Sequence, residues 1–360
     1  KNMPSLKEIK GRINSISSTL AITSAMKMVA AAKLQKAQMA IQNMLPYERR
    51  LHSMLIDLMG AMNISAAASE DGSVRGSGSA ERGFDQSGDR LSLSNRHDLA
   101  GMDGAYSLMA QREVRKVAIV AFASNSSLCG AFNSNVIREA TAVINEYRAS
   151  GLGDADITVY SVGRKMAEAM KKLGFPSPAD FTKMSDSPSY EAASALAQEL
   201  LDGFVSGRFD KVELVYNHYK STSSQPTTRQ TYLPLSLADA TADLQAGKIT
   251  DSASETDTNR GADPVGAPVV RQGSPTTEDL IVEPSKEALI ATLLPKVIRL
   301  RIFTTLLDSA AAEHAARTVA MQLATDNGND LLQELTLEYN KGRQQKITSE
   351  ILDLVGGSMQ

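Results

Sequence analysis

Two long stretches of helix-forming sequence, one near each end of the chain, constrain its fold more than any other feature. Between Gly11 and Gly60 there is no intervening glycine and only one proline, Pro46. From Lys296 to Val355 only Gly328 and Gly342 interrupt the second stretch. If residues 5–59 form one continuous helix, it spans about 80 Å at 1.5 Å per residue. Helices this long need a partner along their length to bury their apolar residues.

The apolar seams of these stretches predict that they pair with each other. In the first stretch, apolar residues follow the alternating three- and four-residue spacing of a coiled coil at Leu6, Ile9, Ile13, Ile16 and Leu20. The second seam also carries threonines and a histidine, so it is too polar to form a coiled coil alone. Residues 1–46 hold seven Lys or Arg and one acid, whereas residues 308–360 hold eight acids and four Lys or Arg. Opposite charge favours pairing, although each exposed ion pair contributes only about 0 to 1 kcal/mol.

The middle of the chain predicts a compact α/β domain. Apolar runs such as "KVAIVAFA", "DITVYSVG" and "KVELVYNHYKS" are typical of buried strands, and amphipathic helical segments separate them. Strands that alternate with helices indicate a largely parallel sheet, to which "QPTTRQTYLPL" adds an edge strand. We expect α/β with long terminal helices, in which an antiparallel coiled coil of the N- and C-terminal helices carries a central Rossmann-like α/β domain.

Two polar stretches separate these parts and set the predicted boundaries. Both are rich in Gly, Ser and charge and offer little to bury, so we expect flexible insertions. The predicted order is an N-terminal shaft helix over 1–62, an insertion over 63–113 and the central α/β domain over 114–238. A second insertion over 239–283 and a C-terminal shaft helix over 284–360 follow.

Composition argues against several kinds of site. Cys129 is the only cysteine and the four histidines lie far apart, so we expect no disulfide framework, metal site or cofactor. No apolar run approaches the roughly 18 residues of a membrane span, so we expect no direct membrane insertion. The loop 123–135 follows a strand and opens a helix, as phosphate loops do. It lacks the glycines and lysine of a nucleotide motif, which favours a tight turn with Cys129 as a small buried thiol.

Several motifs together resemble the gamma subunit of F-type ATP synthases. They are "MPSLKEIKGRINSISSTLAITSAMKMVAAAKLQKAQ" with "PYERRL", "SLCGAFNSNV", "ELVYNHYKS" and "AAEHAARTVAMQLATDNGNDLLQELTLEYNKGRQQKITSEILDLVGG". The resemblance implies that the two terminal helices form a shaft inside a ring of three alpha and three beta subunits. It also implies that the α/β domain meets the epsilon subunit and the c-subunit ring. The function implied is rotary coupling of proton-driven rotation to ATP synthesis at the cytoplasmic face of a bacterial plasma membrane, with no catalysis by this subunit.

The resemblance also implies contact residues. Met26 and Lys27 match positions near the acidic loops of beta, and Arg317, Arg343 and Gln344 match positions on the last helix that contact beta. We further expect low apolar exposure on the shaft, because a sticky surface would hold one orientation.

The chain departs from the family at two places. Residues 124–127 read Ser-Asn-Ser-Ser where Ser-Asp-Arg-Gly is common, which argues against an ionic function of this turn. Gly342 stands where Ala is common, and we expect it to loosen the helix locally by roughly 1 kcal/mol.

Two other classes of function remain open at this stage. A free-standing α/β enzyme with helical arms would use the loop 123–135 for a nucleotide or substrate. A coiled-coil adaptor or basic nucleic-acid binder would use the Lys and Arg residues of the first helix, although these are more dilute than in basic DNA-reading helices. This dilution favours a protein sleeve, and no nucleic acid, as the partner of this helix.

Overall fold

A computed structural model describes residues 5–70, 108, 112–235, 283 and 285–358 of the chain. Two helices dominate it: α1, Leu6–Glu70, and α6, Lys286–Ser358. Helix α1 continues through residues 63–70, beyond the boundary predicted at residue 62. Most of the two polar stretches, 63–113 and 239–283, lies outside the described residues, so their predicted flexibility stays a prediction.

Helices α1 and α6 run antiparallel. Thr304 of α6 donates a hydrogen bond to Glu48 of α1 (3.1 Å), and Thr325 donates to Thr23 (3.2 Å). The contacting residues thus rise in number along α1 while they fall along α6. This opposite order is that of two antiparallel helices in a coiled coil. On the predicted seam of α1, Ile9 is buried and Leu6, Ile13, Ile16 and Leu20 are half-buried. The least exposed residues of α6, such as Leu294 and Ala311, lie outside the predicted seam. The predicted fold class is therefore confirmed.

The central domain is built on a four-stranded sheet. The strand order is β2-β1-β3-β4, with β1 parallel to β2 and β3, and β4 antiparallel to β3 at the edge. In chain order, the strands and α-helices of this domain are β1 Val117–Phe122, α2 Phe132–Ala149, β2 Ile157–Val162, α3 Arg164–Lys172, α4 Thr182–Asp186, α5 Tyr190–Val205, β3 Lys211–Asn217 and β4 Thr227–Leu233. The predicted strands, including the edge strand, are confirmed, and the antiparallel direction of the edge strand is a new observation.

Both faces of the sheet are covered, which explains the unbroken apolar run of β1. Val117, Ile119 and Ala121 pack towards α2 and α3, whereas the alternate residues of β1 pack towards α5 and α6. A strand covered on both faces reads as a continuous apolar segment. Helix α6 thus completes the core of the domain as well as pairing with α1, through Ile290, Leu294, Val297, Ile298, Leu300, Ile302 and Leu306.

A buried ion cluster joins the edge strand β4 to β3 and α2. The Glu213 carboxylate, which is 1% exposed, accepts hydrogen bonds from Arg229 Nε (2.7 Å) and Tyr147 Oη (2.6 Å) and pairs with Lys211 (2.6 Å). Burial alone would raise the pKa of Glu213, but the bonds from Arg229, Lys211 and Tyr147 outweigh burial and hold it below its usual value. Arg229 also pairs with Glu146, so the cluster ties three elements together.

Candidate functional site

Beyond the domain, α1 and α6 form a narrow two-helix shaft. Ala320 of α6 still lies against the domain, because a Cβ atom added at Gly130 would be 3.9 Å from the Ala320 Cβ. From there α6 continues to Ser358, which at 1.5 Å per residue is about 57 Å. This projecting part, residues 321–358 of α6 with the start of α1, is called the shaft below.

Two glycines of α6 allow the helices of the shaft to approach closely. A Cβ atom at Gly328 would lie 2.7 Å from Leu20 Cδ2, and one at Gly342 would lie 3.0 Å from Leu6 Cδ2. Both the glycines and the leucines are fourteen residues apart, so each leucine fits against a glycine two heptads along the seam. Gly342 makes room for a leucine of the partner helix, and its expected loosening of the helix stays a prediction.

The outer faces of the shaft expose large apolar side chains. On α1, Ile22 is 60% and Met28 is 65% exposed, and on α6 the corresponding values are 65% for Leu352 and 74% for Leu354. The expectation of low apolar exposure is therefore wrong. Helical periodicity assigned the apolar residues to one seam, whereas these residues lie outside it. Apolar side chains that face water in such numbers mark a surface that another molecule covers.

The carboxyl ends of the parallel strands face α6. In open α/β sheets, ligands bind in the crevice at these ends where the strand order reverses, which here is next to β1. In this chain, side chains of α6 fill the crevice: Ala312 packs against Cys129 and Phe132. Asn217 closes the other side by donating a hydrogen bond to the Phe132 carbonyl (3.0 Å). The structure therefore favours a helix-binding role for this crevice over the nucleotide-binding alternative.

The loop between β1 and α2 satisfies its own polar groups. The Asn133 side chain accepts from the backbone N–H of Ser124 (3.0 Å) and donates to the Ser126 carbonyl (3.2 Å). Leu128 and Gly130 adopt positive φ angles of 67° and 59°, as a tight strand-to-helix turn requires. Cys129 is 1% exposed, so the prediction of a buried thiol is confirmed.

Arg317 lies at the junction of the domain and the shaft. Its guanidinium donates to Glu313 (2.7 Å) and to the Ser126 hydroxyl (2.7 Å), and the residue is only 9% exposed. Burial raises the pKa of Glu313, and Arg317 offsets that effect only in part. Burial, with Arg317 and Lys33 nearby, lowers the pKa of His314 to about 4. Arg317 therefore bonds within its own chain, which sequence reasoning did not anticipate.

The other predicted contact residues lie at separate levels of the shaft. Met26 and Lys27 are half-buried on α1, close to the Thr23–Thr325 hydrogen bond. Arg343 and Gln344 are exposed on α6, next to the contact of Gly342 with α1. Arg317 and Arg343 are separated by about 39 Å along the helix. The five predicted residues thus do not form one site, and their contacts with beta stay a prediction.

A second connection between the domain and both long helices was missed. Tyr219, in the loop after β3, packs against apolar residues of α1 and α6 and accepts a hydrogen bond from Gln38 of α1 (2.6 Å). Asp308 of α6 accepts from the Tyr219 backbone N–H (2.9 Å) and contacts His218 Nδ1 (2.6 Å). In the sequence, this connection is visible only as a His-Tyr pair at the end of a strand. Hydrophobic periodicity predicts helices and strands and gives no role to such a pair.

The described residues contain neither a cluster of metal ligands nor a membrane-spanning helix. Over the described ranges, no three His, Cys, Asp or Glu side chains come together as metal ligands. Across the same residues, none of the helices combines the length and the apolar character needed to traverse a bilayer. The acidic pairs of α6, such as Asp326 with Asp330, are exposed, as on an ordinary solvated helix face.

Comparisons with known proteins agree on one family. The family model described as ATP synthase matches residues 5–359. The chain is 47% identical to the ATP synthase gamma chain of Phocaeicola vulgatus over 99% of this chain and 100% of that one. It is 45% identical to the ATP synthase gamma chain of Bacteroides thetaiotaomicron, again over 99% of this chain and 100% of the relative.

A solved structure has a similar fold. It is a chain of the Euglena gracilis mitochondrial ATP synthase, from cryo-EM of the OSCP/F1/c-ring part in rotational state 3. The TM-score is 0.53 at 19% identity, and the match covers 98% of this chain and 93% of that one. At this identity the likeness supports the fold alone.

Proposed function

The chain belongs to the ATP synthase gamma family, and from this premise we propose that it is the central rotor of a proton-driven rotary ATP synthase. In this role it couples rotation of a membrane ring to ATP synthesis, and the reverse, at catalytic sites on other subunits. The chain itself would break no bond. Its place would be peripheral, on the cytoplasmic face of a bacterial plasma membrane.

The observation that carries this proposal is the projecting shaft with apolar outer faces. A projecting rod of about 57 Å, with two helices up to Gly342 and one helix beyond it, would not stay soluble with residues such as Met28 and Leu354 facing water unless a partner surrounds it. The exposed apolar residues lie on both helices, some near the domain and others near the far end of α6, so a single flat partner would leave some of them uncovered. A closed sleeve of alpha and beta subunits covers all of them.

Rotary coupling follows from the asymmetry of such a rod. Helix α1 begins at Leu6, opposite Gly342, so the last turns of α6 extend beyond the start of α1. This rod has one helix at its far end and two helices nearer the domain. It therefore lacks rotational symmetry about its long axis and presents a different surface on each side. Each beta subunit would therefore meet a different side, and the shaft angle would bias which nucleotide each site prefers. By linkage, nucleotide binding must bias the shaft angle equally.

The predicted partners distribute along the molecule. The alpha and beta subunits would surround the shaft, and the epsilon subunit and the c-subunit ring would meet the α/β domain. The solved chain of similar fold from Euglena gracilis comes from a complex whose name includes F1 and a c-ring.

Coupling contacts to beta would use the exposed residues of the predicted set. Arg343 and Gln344 face water in the described chain and are free to meet a loop of beta. Met26 and Lys27 would contact beta nearer to the α/β domain, together with the exposed residues Met28 and Val29. Arg317 would act by ordering the turn at Ser126, since its guanidinium is bonded within the chain.

Reconstitution tests the proposal. The purified chain is mixed with alpha and beta subunits from the same bacterium, and the product is separated by size. We expect a ring complex that holds one copy of this chain and hydrolyses ATP. A control chain with Leu352 and Leu354 changed to Glu should assemble poorly, because charges would enter the sleeve. Failure of the unchanged chain to assemble with correctly folded partners would refute the proposal.

A further inference from the structure

The loop after β3 attaches the α/β domain to both long helices at a second place, apart from the core that the domain shares with them. Tyr219 belongs to two apolar clusters, one with Leu34 of α1 and Ala311 of α6, and one with Cys129 and Ala312. Its ring therefore lies in the groove between the helices. We call Gln38, His218, Tyr219 and Asp308 the joint.

Directional hydrogen bonds hold the ring in this groove. Gln38 Nε2 of α1 donates to Tyr219 Oη at 2.6 Å. The Asp308 carboxylate of α6 accepts from the Tyr219 backbone N–H at 2.9 Å and lies 2.6 Å from His218 Nδ1. Because a carboxylate accepts, His218 carries its proton on Nδ1. Asp308 is largely buried, with 18% of its side chain exposed, so these bonds are poorly replaced by water.

The position of the ring between two helices matters for torque. Packed helix axes lie about 8 to 10 Å apart. The domain already shares a core with residues 290–306 of α6 and residues 51–58 of α1, and the joint lies further along both helices. A ring lodged between two helices must leave its groove before the domain can turn, and turning also breaks the bonds to Gln38 and Asp308.

We propose that the joint fixes the rotational angle of the α/β domain on the shaft, with Tyr219 as its main positioning residue. This role rests on the proposed function, since torque applied to the domain by a membrane ring must reach the shaft. Weakening the joint lets the domain yield under load. The chain then assembles and supports ATP hydrolysis, but less of each turn reaches the membrane ring.

The test uses the complete complex in sealed vesicles. Three joint variants are compared with the unchanged chain: Tyr219→Ala removes the ring, and Tyr219→Phe and Asp308→Asn keep the shape and remove bonding capacity. The matched control is Val143→Ala, which weakens the core on the opposite face of the sheet. The measurements are ATP hydrolysis, ATP-driven proton pumping, and the torsional stiffness of single rotors from the fluctuations of a bead on the domain.

We expect Tyr219→Ala to lower the ratio of pumping to hydrolysis several-fold and to soften the rotor. Tyr219→Phe and Asp308→Asn should do so to a smaller extent, and Val143→Ala should leave both quantities unchanged. Unchanged ratios and stiffness in all joint variants would overturn the joint while leaving the proposed function intact, and so would an equal loss in Val143→Ala. A complex with the unsubstituted chain that hydrolyses ATP without pumping protons would overturn both the joint and the proposed function.

Discussion

The close contact of Gly328 with Leu20 predicts that adding one methyl group to the shaft weakens it. Alanine is normally better than glycine inside a helix by about 1 kcal/mol. At Gly328, however, the new Cβ would lie 2.7 Å from Leu20 Cδ2 and 3.1 Å from Leu20 Cγ. Relieving this overlap requires the leucine or the helix to move, at a cost of about 1 to 3 kcal/mol. We therefore expect Gly328→Ala to be destabilising by about 0 to 2 kcal/mol, the overlap minus the gain in propensity.

Gly11→Ala provides the matched control. Gly11 also lies inside a long helix, but a Cβ there would meet nothing within 4 Å. This change should stabilise the chain by up to about 1 kcal/mol. The two variants should thus differ by about 1 to 3 kcal/mol in urea unfolding followed by circular dichroism.

A size swap locates the effect in the contact itself. If overlap is the cause, Leu20→Ala should lower the free energy of unfolding less in the Gly328→Ala chain than in the unsubstituted chain. The smaller side chain at position 20 then leaves room for the methyl group at position 328. Additive effects in this double-mutant cycle would refute the reasoning, as would a Gly328→Ala chain that is as stable as the Gly11→Ala chain.

Three further predictions concern the domain and the tip of the shaft. Glu213→Gln should destabilise the domain by about 3 kcal/mol, because it leaves Arg229 without its buried partner; a loss below about 0.5 kcal/mol in urea unfolding would contradict this. Asp308 raises the pKa of His218, so their pair contributes stability below the ordinary histidine pKa and loses it as pH rises through the raised value. The stability of a His218→Gln chain should not show this loss when its free energy of unfolding is compared at about pH 6 and about pH 8. The same pH dependence in the variant and the unsubstituted chain would argue against the pair. Arg343→Ala should leave the melting temperature unchanged while it lowers ATP-driven pumping, and a fall in both would point to a structural role instead.

The order of helices and strands could be predicted from the sequence because each element has a strong local pattern. The run of β1 is apolar throughout, since both faces of the sheet are covered, and the coiled-coil seam of α1 repeats over many turns. The end of α1 could not be placed in the same way. Residues 63–70 are helical in the structure although their small and polar residues carry no seam.

Contacts between distant parts of the chain were harder to predict. The spacing of Gly328 and Gly342 matches that of Leu20 and Leu6, and this signal was available in the sequence, but it acquires meaning only once the antiparallel register is known. The hydrogen bonds of Tyr219 depend on how the domain docks onto two helices, which no local pattern encodes.

Surface exposure on the shaft also escaped prediction. A helical seam indicates which residues face the partner helix, but it does not say what covers the remaining apolar residues. Ile22 and Leu352 fall outside the seam and lie exposed in the described chain. A partner protein that surrounds the shaft would cover them.

Observation of rotation is the most direct test of the account. Cys129 is buried, so a cysteine introduced at the exposed Ala142 of α2 can carry a probe without competition. The labelled chain is assembled with alpha and beta subunits, the ring is fixed to a surface, and the probe is followed while ATP is hydrolysed. We predict rotation in one direction that stops when ATP is removed. A complex that hydrolyses ATP while the probe stays still would contradict the central claim that this chain is the rotor.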